Sequence, residues 1–176
     1  LNAENEYLEK LMAPVKGLRE ELFAEMKGRI REDDESVPYK EGSYLYYTRF
    51  VAGGEYPVYC RKKAGGETEE IMLDGNRMAE GSEYFQVGGM EVSDNEELLI
   101  FAIDDVGRRN YTLRVKDLKT GTVFQDEILN TEGGNYAWAA DNRTLYYVLK
   151  DQQTLLGNKV YRHVLGTDPA EDVLVY

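Results

Sequence analysis

The sequence has one cysteine, Cys60, and one histidine, His163. A single cysteine excludes an intrachain disulfide and fits a reducing compartment. A single histidine leaves little room for the commonest general base, and none for a cysteine–histidine zinc cluster. No apolar run approaches the roughly 20 residues that a membrane span requires. Leu1 is followed by Asn2, Glu4, Asn5 and Glu6, the wrong chemistry for a signal peptide. Positive charge is also scarce: 21 Lys and Arg stand against 33 Asp and Glu, a net charge of -12. Such a chain repels nucleic-acid backbones and anionic lipid, so neither is an expected partner; the cytoplasmic location expected here goes with the single cysteine. Leu1 is not Met, so the chain is expected to be a cut piece or a processed product.

Two patterns divide the chain. Leu8, Leu11, Met12 and Val15 recur at helical spacing, as do Leu18, Leu22, Met26 and Ile30. Pro14 restricts Ala13 and has no N–H to donate, so it separates two helices. Asp33, Asp34, Glu35 and Pro38 then read as a linker. Residues 1–31 are therefore expected to form a helical extension.

From residue 36 onward the pattern is β-rich. SYLYYTRF, YPVYCRK, LLIFAI, YTLRVKDL, TLYYVLK, KVYRHVL and DVLVY are separated by Gly, Asn and Asp turns. WAADNRTLYYVLKD repeats VSDNEELLIFAIDD at roughly 46 residues, pairing Val92 with Trp138, Leu99 with Leu145 and Phe101 with Tyr147. An upstream copy aligns Tyr44–Tyr47 with Leu99–Ala102, and Tyr56–Cys60 with Tyr111–Val115, at roughly 55. Units of this length hold about four strands each, the footprint of a β-propeller blade. The fold class is mainly β: about three four-stranded blades of a partial propeller over 36–176, behind an α-helical segment. The expected strands are 37–40, 44–50, 56–62 and 70–73, then 85–92, 98–103, 111–118 and 122–128, then 136–140, 144–150, 159–165 and 172–176. Propellers close with about 4 to 8 blades. Three blades imply a fragment, or a subunit completed by copies of itself, with open edges prone to pairing.

No catalytic constellation is apparent. Ser36, Ser43, Ser82 and Ser93 lack the G-x-S-x-G setting of a nucleophile elbow. His163 lies inside an expected strand and reads as structural or surface. Cys60 reads as a small buried hydrophobe, and Trp138 as a blade-packing residue. The Asp33–Glu35 run lacks the spacing of a calcium loop. The pairs Gly65–Gly66, Gly88–Gly89 and Gly133–Gly134 precede no G-K-[ST]. Asn110-Tyr-Thr and Asn142-Arg-Thr match the glycosylation sequon only at chance level. No catalytic, cofactor or metal residue is assigned, and no cofactor is expected.

Several strings nonetheless resemble a known family. In order they are LNAENEYLEKLMAP, EMKGRIREDDESVPY, YLYYTRF, EYPVYCRKK, AEGSEYFQVGGMEVS, GRRNYTLRVKDLKTG, WAADNRTLYYVLKD and VYRHVLGTDPAEDVLVY. Together they resemble the N-terminal part of the oligopeptidase B branch of the prolyl oligopeptidase family of serine peptidases. One departure is Val92-Ser93-Asp94-Asn95-Glu96, where that branch has V-S-P-D-G; losing Pro and Gly should loosen the hairpin slightly. The resemblance implies a parent enzyme with helical extension, propeller and C-terminal α/β-hydrolase domain, cutting short peptides after Arg or Lys. The triad and the carboxylates for the basic side chain would lie in that absent domain, so this fragment is expected to be inactive. The propeller would act as a gate for oligopeptides, and the helices would pack partly on the catalytic domain. In the fragment, their apolar stripe favours self-association. The alternative reading is a stand-alone propeller-like interaction module without enzymatic activity.

Overall fold

The computed structural model describes residues 1–176. Helix α1 spans Asn2–Met12 and α2 spans Lys16–Gly28. Between them Ala13–Val15 form one 3-10 turn with Pro14 in it, where a missing N–H is tolerated. Glu4 in the first turn and Lys10 in the last complement the α1 dipole. Neither helix buries a residue, so their apolar stripes stand open. Neither is long and apolar enough to cross a membrane.

The rest is antiparallel sheet. β1 (Tyr39–Glu41), β2 (Tyr44–Arg49), β3 (Val58–Lys63) and β4 (Glu69–Asp74) form one sheet in sequential order. A short helix, α3 (Gly75–Met78), follows, its start capped by Asp74. β5 (Gln86–Val92), β6 (Leu98–Asp104), β7 (Tyr111–Asp117), β8 (Ile128–Trp138), β9 (Thr144–Lys150), β10 (Gly157–Val164) and β11 (Val173–Leu174) form a second sheet, also in sequential order.

Blades two and three are thus fused through β8. Its first part pairs with β7, Leu113 facing Ile128; its last part pairs with β9, Trp138 facing Leu145. Thr131 faces both Tyr111 and Leu149 at the crossing point. The strand expected at 122–128 differs: Val123 alone bridges Lys116, and the ladder resumes at Ile128. The reason lies at Asp126, whose carboxylate turns inward to His163 and Gly166. The last strand is likewise shorter than 172–176, because Asp172 also turns inward. The first strand begins at Tyr39 rather than Val37, after Pro38, which cannot donate to a ladder.

Two apolar seams hold the blades together. Tyr44, Tyr46, Met72, Leu73, Leu99 and Phe101 pack between blades one and two. Ile100, Ala102, Leu113, Val115, Ile128, Leu145, Tyr147 and Leu165 pack between two and three. These seams correct the upstream repeat offset. Each inner hairpin has one left-handed residue two positions before its second strand: Gly42, Glu96 and Asn142, with φ of 53°, 64° and 54°. They place Tyr47, Phe101 and Tyr147 in register, not Tyr46 and Phe101. Tyr47 then packs with Val58 and Cys60, on the face away from blade two, as Phe101 faces away from blade three. An offset wrong by one residue swaps the two faces of a strand.

Candidate functional site

Several buried polar groups of the chain lie where blades meet. At the first seam Arg61 is 4% exposed. Its Nε donates to Glu70 Oε2 at 2.8 Å, its Nη1 to the Glu96 carbonyl at 2.7 Å, and it lies over the Tyr44 ring at 4.0 Å. The Glu96 carboxylate in turn accepts from the Ser43 backbone N–H. At the second seam Asn142 Oδ1 accepts from Asn95 N–H at 2.9 Å. The left-handed residue of each later hairpin therefore reaches back to a backbone donor of the hairpin before it. Ser93 Oγ accepts from Leu98 N–H at 3.0 Å and contacts Asn95 Oδ1 at 2.6 Å, so the hairpin that lacks Pro and Gly is tied by side chains instead.

His163 is fully buried at the second seam. Its Nδ1 is 2.7 Å from Asp172 Oδ1 and its Nε2 3.2 Å from Asp126 Oδ2. Tyr147 donates to Asp172 Oδ2 at 2.8 Å, and Gly166 N–H to Asp126 Oδ2 at 2.6 Å. Both ring nitrogens are occupied by carboxylates, so neither is free to take a proton from a serine. His163 is a clasp tying the segment before β8 to β10 and to the approach to β11.

Gly88, Gly89 and Gly133 have a packing role. A Cβ on Gly133 would lie 2.6 Å from the Tyr111 ring, and one on Gly89 would lie 2.6 Å from the Gly133 carbonyl. They mark where the inner strand of blade two passes the crossing point in β8. Trp138 packs against the second seam, its Nε1 3.4 Å from the Glu91 carbonyl.

On the far face of blade one, Glu69 accepts from Arg49 Nε and Nη2 and from the Tyr47 hydroxyl at 2.7 Å. The guanidinium and, less strongly, the phenol hold its carboxyl down, to about 2. Cys60 beneath them has no exposed surface, and burial pushes its thiol up to about 11. That is the opposite of nucleophile activation. No group of three or more His, Cys, Asp or Glu side chains is arranged to hold a metal ion. Sequence reasoning missed Asp126, Asp172 and Arg61, because their partners lie on other strands or loops, nine or more residues away, and leave no local motif.

The repeated four-strand units packed face to face through apolar seams define the chain as blades of a β-propeller. All 176 residues match the family model for the N-terminal β-propeller domain of prolyl oligopeptidase, and the chain belongs to that family. Dipeptidyl aminopeptidase BI of Pseudoxanthomonas mexicana is 44% identical, over 100% of this chain and 26% of that protein. The structure of oligopeptidase B from Leishmania major superposes with a TM-score of 0.90 at 36% identity, covering 99% of this chain and 25% of that one. Oligopeptidase B from Trypanosoma brucei gives 0.85 at 34% identity, covering 98% and 24%. The chain therefore spans about a quarter of the length of these relatives.

Proposed function

We propose that the protein containing this chain is a cytoplasmic serine oligopeptidase that cuts short peptides after Arg or Lys. This segment forms the first part of its gating propeller, and the reacting groups lie in the C-terminal catalytic domain. The observation that carries this reading is the likeness of 98–99% of this chain to two oligopeptidase B structures, at TM-scores of 0.90 and 0.85. The local chemistry agrees: the only histidine has both ring nitrogens occupied by carboxylates, and the only thiol is buried. The isolated segment is then inactive.

A second reading is release of dipeptides from a free amino terminus, favoured by the 44% identity to a protein named as a dipeptidyl aminopeptidase. One experiment separates them. The full-length protein is given a peptide with an internal Arg, once with a free and once with an acetylated amino terminus, and the products are weighed. Cleavage after Arg in both supports the oligopeptidase. Dipeptide release from the free form alone supports the second reading, and no cleavage of either contradicts both.

A further inference from the structure

Beside β4, the last strand of the first sheet, a cavity of about 520 Å³ opens between blades one and two. Ile71 of β4, Met78 of α3, Phe101 of β6 and Val123 give it an apolar wall. Arg77 and Lys116 bring positive charge to the same cavity. The volume is that of a small-molecule site.

Lys116 reaches the cavity from β7. Leu113 and Val115 pack in the second seam, so strand alternation turns Lys116 the other way, toward blade one. Its Nζ donates to the Met72 carbonyl at 2.6 Å. Met72 is the extra residue of a bulge in β4, since Tyr59 and Cys60 face Leu73 and Ile71. The ammonium is half-buried, and burial, followed by the nearby charge of Arg77, lowers its pKa from the usual lysine value.

A charge drawn out of water costs free energy unless an opposite charge offsets it. Arg61 has Glu70 and Arg114 has Glu127, but Lys116 and Arg77 form no ion pair. Two carboxylates reach the cavity without neutralising them. Asp74 Oδ1 caps α3, accepting from Asn76 and Arg77 N–H at 3.1 and 3.3 Å. Glu80 is exposed and pairs with neither cation. The chain has 33 acidic side chains against 21 basic ones, so composition does not force two cations together without an anion.

We infer that this cavity binds a small organic anion, its carboxylate or phosphate head held by Lys116 and Arg77 and its apolar body against Ile71, Met78 and Val123. Lys116 keeps two N–H donors for the head after serving Met72, and the Arg77 guanidinium offers a fork that matches either head group. A bound anion ties α3 of blade one to β7 of blade two across the first seam. The site is built from this segment alone and does not depend on the peptidase reading.

The test titrates the full-length protein with phenyl phosphate in a calorimeter. Saturable binding is expected, and none up to about 10 mM overturns the inference. Arg77→Gln and Lys116→Gln should each weaken binding at least about fivefold. Unchanged affinity in Arg77→Gln, an exposed position, overturns the inference by placing the probe elsewhere. Inorganic phosphate, which lacks the apolar body, should bind at least about fivefold more weakly. Equal affinity for the two overturns the apolar wall as part of the site. If Lys116→Gln fails to fold, brief acetylation of the unaltered protein answers the same question, read site by site by peptide mass spectrometry. Phenyl phosphate should slow the acetylation of Lys116 and leave that of Lys119 unchanged. Equal Lys116 rates with and without the probe overturn the inference. Peptidase activity, present or absent, changes none of these outcomes.

Discussion

Cys60, Glu69 and Asp104 each turn a local contact into a measurable outcome. Cys60 is buried and its thiol is raised by burial, so a disulfide reagent should not react with it until the chain is unfolded. Rapid native labelling of Cys60 contradicts the packing of blade one. Glu69 is held near 2 in the fold against an ordinary 4.5. A depressed carboxylate stabilises the fold above its unfolded value and loses that contribution as it is protonated. Stability should therefore fall as pH drops from about 4.5 toward 2, and Glu69→Gln should flatten that limb of an acid-unfolding curve. Asp104 is buried and accepts from Val106 and Gly107 N–H at 2.9 Å and from Arg109 N–H at 2.7 Å. Asp104→Ala strands three donors and should cost on the order of 3 kcal/mol in denaturant melts. Asp104→Asn should cost less, because it keeps an acceptor for two of them. Asp117, Asp141 and Asp151 tie turns in the same way but in solvent, and their alanine variants should barely register.

At the scale of the element, strands, helices and repeat were legible because each rests on local pattern. The helical spacing of Leu8, Leu11 and Met12 and the β-rich run YTLRVKDL both became the elements they implied. The seams were not legible. Asp126, His163 and Asp172 come together through tertiary packing, and nothing near any of them signals the other two. Nor did the sequence distinguish an offset of 55 from the true register, which is set by the left-handed residues Gly42 and Glu96. His163→Ala should therefore be costly, on the order of 3 kcal/mol, since it leaves two buried carboxylates without their shared partner. Gly133→Ala should cost roughly 1–3 kcal/mol, because its new methyl meets the Tyr111 ring. Thermal melting of the two variants checks both figures, and wild-type stability in either removes the corresponding seam contact from the account.

At the scale of the whole molecule, the chain is a run of propeller blades behind a helical arm. Its blades pack through two apolar seams, and its helical arm leaves its apolar stripe exposed. On the proposed function, such a piece positions and screens, and the bond-breaking groups lie in the remainder of the protein. The most direct test is the turnover number, per titrated active site, of the full-length protein carrying Ser36→Ala, Ser43→Ala, Ser82→Ala, Ser93→Ala and His163→Gln. Titration with a serine-directed inhibitor counts only folded, competent molecules. The account predicts a value within about threefold of the unaltered protein on an Arg-containing peptide. A loss of a hundredfold or more per titrated site would place a reacting group in this segment and contradict it.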